Sequence, residues 1–328
     1  MNATKVFAPF AAASVIAAGV VGTPVVQPVH ALQVALLSDT AIFIGGTMLS
    51  TPSATFAQTA ADLFLQPLGF DAGDDASVCV IGSAGCDSAL QVLTTPQLIL
   101  QGHSSFAGAA LIVRAVEAEL AANPGAYDAE HPLWIFGYSQ GATAGSIAMA
   151  QLAQDPDIPS GALHFVFIGD PSDATGVSAN SQSDTPWDRL FDMPILNGNL
   201  TPNDAFPTTI YTFPGDPVAD VSSASMLGLF YGHVMYLGLT PAQVADHTST
   251  TDGMITNIDI SGDIDQFSTW INSFSHGLLD SASLDALFNS LVALVYSAFG
   301  NIEDFFTDWM GIDWGGVENT LDYWFPPV

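Results

Sequence analysis

"LWIFGYSQGATAG", residues 133–145, joins an apolar run to a run of small residues. The apolar run is typical of a buried strand, and the small residues are typical of a helix that packs closely against a sheet. Ser139 lies in the turn between them, flanked by Gly137 and Gly141 in the order Gly-x-Ser-x-Gly. A turn this tight requires small neighbours and pushes the serine hydroxyl out at the end of the sheet. The stretch therefore predicts a strand, a turn and a helix that present Ser139 as a nucleophile.

Apolar runs of strand length recur on both sides of this stretch, and segments with apolar residues at helical spacing separate several of them. Strands that alternate with helices favour a parallel sheet covered by helices on both faces. The predicted fold class is therefore α/β, with a parallel central sheet flanked by helices. The predicted strands cover residues 40–46, 76–82, 132–137, 163–169 and 208–213.

A serine at its ordinary pKa is a weak nucleophile, so the site also needs a base and an acid that orients the base. Behind a Gly-x-Ser-x-Gly turn these follow the serine in the order aspartate, histidine. Asp216 is favoured as the acid because it lies just after an apolar run, in a rigid Pro-Gly-Asp-Pro turn. Asp220 and Asp170 are the alternatives, although either residue can also serve only to cap a turn.

The favoured base is His233, which lies 17 residues after Asp216 and follows a glycine in an aromatic setting. His247 is the second candidate. His164 precedes Asp216 and falls in a strand pattern, which favours a structural role. His276 is the fourth histidine after the serine.

An oxyanion hole in this type of site takes one N–H from the residue after the nucleophile, here Gln140. The second N–H comes from the loop after an early strand, and Gly46 or Thr47 could supply it. We find no zinc, phosphate-loop or dinucleotide motif, so the sequence predicts neither a metal nor a cofactor.

The charge of the chain is strongly one-sided. Its 328 residues include 33 acidic side chains and only three Lys or Arg, for a formal net charge of −30. Such a surface repels nucleic acid and anionic lipid head groups. The two cysteines, Cys79 and Cys86, flank a short glycine-containing turn, which outside the reducing cytoplasm predicts a local disulfide.

The termini differ in character from the middle of the chain. Residues 1–31 have one lysine, an apolar segment and a small-residue cleavage site, which predicts a secretory signal; the alternative is an uncleaved membrane anchor. Residues 32–247 form the predicted catalytic domain. Residues 248–328 show helical apolar stripes rich in Phe and Trp, which predict an extension that packs on the domain, forms a lid or acyl-chain groove, or faces a membrane.

Several segments together resemble the PE-PPE domain, the chiefly mycobacterial serine α/β-hydrolase domain related to cutinases. They are IFIGGTMLSTP, LWIFGYSQGATAG, HFVFIGDPSDATG, IYTFPGDPVAD and YGHVMY, which occur in that order between about residues 38 and 245. The resemblance implies a cutinase-like sheet, a triad of Ser139, Asp216 and His233, and activity on ester bonds. It also implies a place in the cell envelope, where some similar proteins transfer acyl groups to trehalose lipids and others are esterases.

We therefore expect a secreted or cell-envelope serine hydrolase whose substrate is an ester or lipid. Two alternatives stay open. An acyltransferase would use the same groups with a sugar hydroxyl as acceptor, because the two activities differ in whether the site excludes water. A non-catalytic envelope-binding protein would keep only the fold.

Overall fold

The computed structural model describes residues 39–73, 77–180, 192–213, 215–223, 232–261, 264 and 266–278. The predicted signal segment, residues 1–31, and the extension beyond residue 278 lie outside this described part. Within it, no helix is both long and apolar enough to cross a bilayer.

The strands form one eight-stranded sheet with the order β2-β3-β1-β4-β5-β6-β8-β7. Every neighbouring pair is parallel except β7 with β8, which is antiparallel. The prediction of an α/β fold with a largely parallel sheet is therefore confirmed. The strands are β1 Ala41–Ile44, β2 Val78–Val80, β3 Leu90–Val92, β4 Leu133–Tyr138, β5 Leu163–Ile168, β6 Thr208–Thr212, β7 His247–Asp252 and β8 Ile255–Ile260.

Helices cover the sheet and connect its parallel strands. The described helices are α1 Ala54–Ala60, α2 Gln101–Ala122, α3 Gln140–Leu152, α4 Val177–Asn180, α5 Pro241–Ala245 and α6 Gln266–Ser275. Side-chain caps fix where two of them begin. The Ser53 hydroxyl accepts the N–H of Phe56 at the start of α1, and Thr240 and Gln243 form a reciprocal capping box at the start of α5.

The hydrophobic core lies in two layers, one on each face of the sheet. Alternate side chains of a strand point to opposite faces, so Ala41 and Phe43 of β1 join one layer while Ile42 and Ile44 join the other. All four are fully buried. Because both faces are covered, most central strands are largely apolar, and these apolar runs made them predictable from the sequence.

The sheet has three strands that the sequence did not predict: β3, β7 and β8. The prediction of a helical extension from residue 248 is wrong for residues 248–260, which form most of the β7–β8 hairpin. A two-residue loop joins these strands, with Gly253 at a φ of 59°. All six side chains of β7 are exposed, and none of them is apolar. The strand therefore shows no apolar pattern by which the sequence could reveal it.

Candidate active site

Ser139 lies at the junction of β4 and α3, in a strained backbone conformation with φ 54° and ψ −119°. The turn is tight on both sides. A Cβ on Gly137 would lie 2.8 Å from the Gly141 carbonyl oxygen, and a Cβ on Gly141 would collide with the Gly45 carbonyl at the end of β1. The Ser139 N–H donates to the Ile168 carbonyl of β5 at 3.1 Å. The glycines therefore let the serine turn project from the sheet next to two other strand ends.

The structure brings Ser139, His233 and Asp216 together. The His233 Nε2 atom lies 2.7 Å from Ser139 Oγ. On the other side of the ring, Nδ1 lies 3.0 and 2.9 Å from the two carboxylate oxygens of Asp216. Nδ1–H donating to the carboxylate leaves Nε2 free to accept the serine proton.

Asp216 is fully buried in the turn after β6, yet it is held in its charged form. Burial would raise the pKa of its carboxyl, but the electrostatic interaction with His233 and hydrogen bonds from His233, the Val218 N–H and the Tyr236 hydroxyl together lower that pKa. The Val218 and Tyr236 bonds measure 2.8 Å each. The carboxylate can therefore stabilise a proton on His233.

Gly169, at the end of β5, makes room for the histidine and aspartate. Its φ is +56°, in the left-handed region that favours glycine. A Cβ at this position would lie 3.0 Å from Cε1 of His233 and 3.1 Å from Oδ2 of Asp216. A side chain here would push the imidazole and the carboxylate apart.

Two tyrosines, which no sequence pattern indicated, contact the pair formed by His233 and Asp216. The Tyr138 hydroxyl donates to the His233 carbonyl oxygen at 2.9 Å, and the two rings stack with centroids 5.3 Å apart. Tyr236 bonds to Asp216, as described above. Both phenols are buried, and burial first and the nearby Asp216 charge second raise their pKa values. Tyr138 precedes the serine and Tyr236 ends the YGHVMY segment, but in a sequence an aromatic residue at such a position is indistinguishable from core.

The predicted oxyanion residues lie around the serine. Gln140 begins α3 and is buried, and its side-chain amide donates to the Leu98 carbonyl at 2.9 Å. A Cβ on Gly46 would lie 3.2 Å from the Ser139 Cβ, so this backbone is a direct neighbour of the serine. Thr47 accepts a 3.0 Å hydrogen bond from the Gln101 side chain. In the described part of the chain, no acceptor pairs with the N–H of Gly46 or of Thr47.

The other two acid candidates accept hydrogen bonds from serine and threonine residues. Asp170 is fully buried at the end of β5, where it accepts hydrogen bonds from the Ser172 N–H at 2.8 Å and the Thr201 hydroxyl at 2.7 Å. Burial raises its pKa to about 7, against the lowering effect of these two hydrogen bonds. Asp220 accepts hydrogen bonds from the main chain and hydroxyl of Ser222.

The remaining histidines make structural contacts. The His247 ring bonds to the Val244 carbonyl at 2.8 Å, and the His276 ring bonds to the Leu237 carbonyl at 2.7 Å. His164 stacks on Trp134, and burial lowers its pKa to about 4.

Cys79 and Cys86 form a disulfide with an S–S distance of 1.97 Å, and it bridges β2 to the turn that follows. Among the described residues, no three His, Cys, Asp or Glu side chains are grouped in a way that could hold a metal ion.

Comparison with known proteins gives one family and two relatives. Residues 89–257 match the profile of the PE-PPE domain, starting after the predicted domain start at residue 32 and ending beyond residue 247. Over 233 residues the chain is 30% identical to the uncharacterized PPE family protein PPE28 of Mycobacterium tuberculosis, covering 65% of this chain and 32% of that protein. Over 249 residues it is 26% identical to Esterase PE16 of the same organism, covering 67% of this chain and 43% of that protein. The chain thus spans less than half the length of either relative.

Among solved structures, a cutinase-like protein from Cryptococcus sp. aligns with a TM-score of 0.38 and 22% sequence identity. The alignment covers 58% of this chain and 85% of that protein.

Proposed function

Because the profile match spans just over half of its residues, the chain belongs to the PE-PPE domain family, and we propose that it is a serine esterase of the α/β-hydrolase type. The observation that carries the proposal is the continuous contact from Ser139 Oγ through the His233 ring to Asp216. A non-catalytic binding protein has no need for this arrangement. The similarity to Esterase PE16 is consistent with an ester substrate.

In the first half of the reaction, Ser139 becomes acylated. His233 Nε2 accepts the serine proton while Oγ forms a bond to the ester carbonyl carbon, and Asp216 stabilises the imidazolium. Collapse of the tetrahedral intermediate breaks the bond to the alcohol oxygen. The imidazolium returns its proton to that oxygen, so the alcohol leaves neutral and the acyl group stays on Ser139.

The negative oxygen of the intermediate needs fixed donors. The N–H of Gln140 at the start of α3 supplies one, and the positive end of the helix dipole adds to it. Gly46 or Thr47 supplies the second N–H. The hydrogen bond from the Gln140 side chain to Leu98 holds the start of the helix in place, so the donors are positioned before substrate binds.

In the second half, water takes the place of the alcohol. His233 accepts a proton from water, the resulting hydroxide attacks the acyl carbon, and the C–O bond to Ser139 breaks as the imidazolium protonates Oγ. The products are an alcohol and a carboxylic acid. We further propose that residues 1–31 direct the protein to the cell envelope or the medium.

Turnover of p-nitrophenyl esters of several acyl lengths by the full chain tests this function. Ser139→Ala should lower kcat/KM at least about a thousandfold, because the reaction loses its nucleophile. The matched control is Ser105→Ala, which removes a fully buried hydroxyl that has no partner in the described part of the chain. It should leave turnover unchanged.

Two further measurements separate the alternatives. A fluorophosphonate probe should label the wild type and not Ser139→Ala, whereas labelling of neither would contradict the proposal. With trehalose added, an acylated sugar formed at the expense of free acid would assign acyl transfer to the site instead of hydrolysis.

A further inference from the structure

The carboxylate of Asp216 can help His233 only if its plane is held against the ring, since a carboxylate rotates freely about its last bond when nothing restrains it. Two backbone groups restrain one oxygen: Oδ1 accepts the N–H of Val218 at 2.8 Å and that of Ala219 at 3.4 Å. Besides His233, Oδ2 has one donor in the described structure, the Tyr236 hydroxyl at 2.8 Å. We propose that Tyr236 is a positioning residue for the reaction, which orients Asp216 and through it the imidazole of His233; this inference rests on the proposed function.

The direction of the Tyr236 hydrogen bond is fixed by a second partner. The Phe213 N–H lies 3.0 Å from the same phenol oxygen. An N–H can only donate, so the phenol accepts from Phe213 and must use its single proton on Asp216. The main chain at the end of β6 therefore sets the orientation of the hydroxyl, and the hydroxyl in turn sets the orientation of the carboxylate.

The phenol ring is itself held rigidly. It is buried at 1% exposure, with the Phe213 ring edge-on at 6.2 Å and the Tyr138 ring at 6.4 Å. Tyr236 begins the short helical turn Tyr236–Gly238, and Gly238 packs so closely on α6 that a Cβ there would collide with the Thr269 carbonyl. Helix α6 thus supports the turn that places Tyr236, although it contributes no group to the triad.

The middle of the turn contacts the residue just after the same helix. The His276 ring, just after α6, contacts the Leu237 carbonyl oxygen at 2.7 Å. Helix α6 and His276 therefore fix the position of the turn that carries Tyr236, and the Tyr236 hydroxyl fixes the orientation of the Asp216 carboxylate. Residues 266–276, which follow the last strand, thus help to position the acid of the site.

Replacing Tyr236 by Phe tests the role without changing the ring. The variant keeps the ring, but it removes the hydroxyl donor to Oδ2 and the acceptor of the Phe213 N–H, so the main chain restrains the carboxylate at Oδ1 alone. We expect kcat for a p-nitrophenyl ester to fall between about tenfold and a hundredfold, with KM within twofold because Tyr236 is buried away from the surface at which a substrate enters. The matched control is Tyr211→Phe, since Tyr211 is equally buried and donates to a main-chain carbonyl, that of Phe64 at 3.3 Å, away from the triad.

A spectroscopic readout separates positioning from a general loss of stability. In histidine-labelled protein, the proton between His233 Nδ1 and Asp216 should give a low-field 1H NMR resonance that shifts or broadens in Tyr236→Phe and not in Tyr211→Phe. The proposal is overturned if kcat and this resonance stay at wild-type values in Tyr236→Phe, or if Tyr211→Phe changes both equally. If the wild type hydrolyses no ester, the proposed function fails, and the resonance alone still decides whether Tyr236 orients the pair.

Discussion

Two aspartates at neighbouring strand ends show how a partner decides the charge of a buried carboxyl. Asp216 and Asp170 are both fully buried. Burial acts to raise the pKa of both carboxyls. At Asp216 the interaction with His233 and the hydrogen bonds outweigh burial, so the pKa is lowered. At Asp170 the hydroxyl and N–H partners do not outweigh it, so the pKa is raised to about 7. Only Asp216 is suited to stabilise an imidazolium.

The raised pKa of Asp170 predicts a pH-dependent stability. An unfolded aspartate titrates near pH 4, so between about pH 4 and pH 7 the folded chain holds a proton that the unfolded chain has lost. The contribution of Asp170 to the free energy of unfolding is therefore complete below pH 4 and is lost as the pH rises through 7, a change on the order of 4 kcal/mol. Urea unfolding at pH 4.5 and pH 8 measures it.

The matched variant is Asp170→Asn, which does not titrate; its amide oxygen can accept the Ser172 N–H, and its NH2 group can donate to the Thr201 hydroxyl oxygen in place of the present bond. Its stability relative to the wild type should increase from pH 4.5 to pH 8. The exposed Asp157→Asn should show no such trend, and parallel pH curves for the wild type and Asp170→Asn would contradict the prediction.

The sequence could point to Ser139, Asp216 and His233 because each lies in a local pattern: a glycine-flanked turn, a proline-bounded turn and a glycine-led loop. Tyr236 has no such pattern. Its hydroxyl matters only because the end of β6 and the carboxylate of Asp216 converge on it, and sequence spacing does not reveal that convergence.

At the level of elements, the strands that could be predicted are those that lie in apolar runs. The five predicted strands are apolar, and four of them lie at the centre of the sheet, where side chains on both faces enter the core. β3 is fully buried, but it has only three residues and the polar Gln91 is one of them, so it forms no apolar run; β7 is exposed along its whole length. A hairpin in which Thr, Ser, Asn and Asp outnumber the three isoleucines of β8 therefore resembles a polar connection in the sequence, even though its backbone completes the sheet.

The disulfide restrains β2, a strand at the edge of the sheet. β2 is three residues long and pairs only with β3, so the strand has few contacts of its own. Closing the short loop between Cys79 and Cys86 should stabilise the fold by about 2 to 3 kcal/mol through the entropy of the unfolded chain. The double variant Cys79→Ser and Cys86→Ser should lose that amount in urea unfolding, and its ester turnover should match the wild type because β2 lies three strands away from β4.

Reduction of the wild type supplies the internal control for the disulfide. Dithiothreitol should lower the free energy of unfolding of the wild type to that of the double serine variant and leave the variant itself unchanged. Equal stability of the oxidised and reduced wild type would show that the bond restrains nothing.

At the scale of the whole molecule, the net charge of −30 should select among esters by their charge. A surface of one sign lowers the local concentration of ligands of the same sign, and salt screens the effect, since the Debye length falls from about 30 Å at 0.01 M to a few Å at 0.5 M. The p-nitrophenyl esters of butyric and succinic acid form a matched pair, because the second replaces a terminal methyl group with a carboxylate. At low salt, we expect a lower kcat/KM for the succinate ester, rising at least about threefold by 0.5 M salt, while the butyrate value stays within twofold. An anionic ester that is hydrolysed equally well at both salt concentrations would mean that local groups, not the charge of the chain, govern substrate entry.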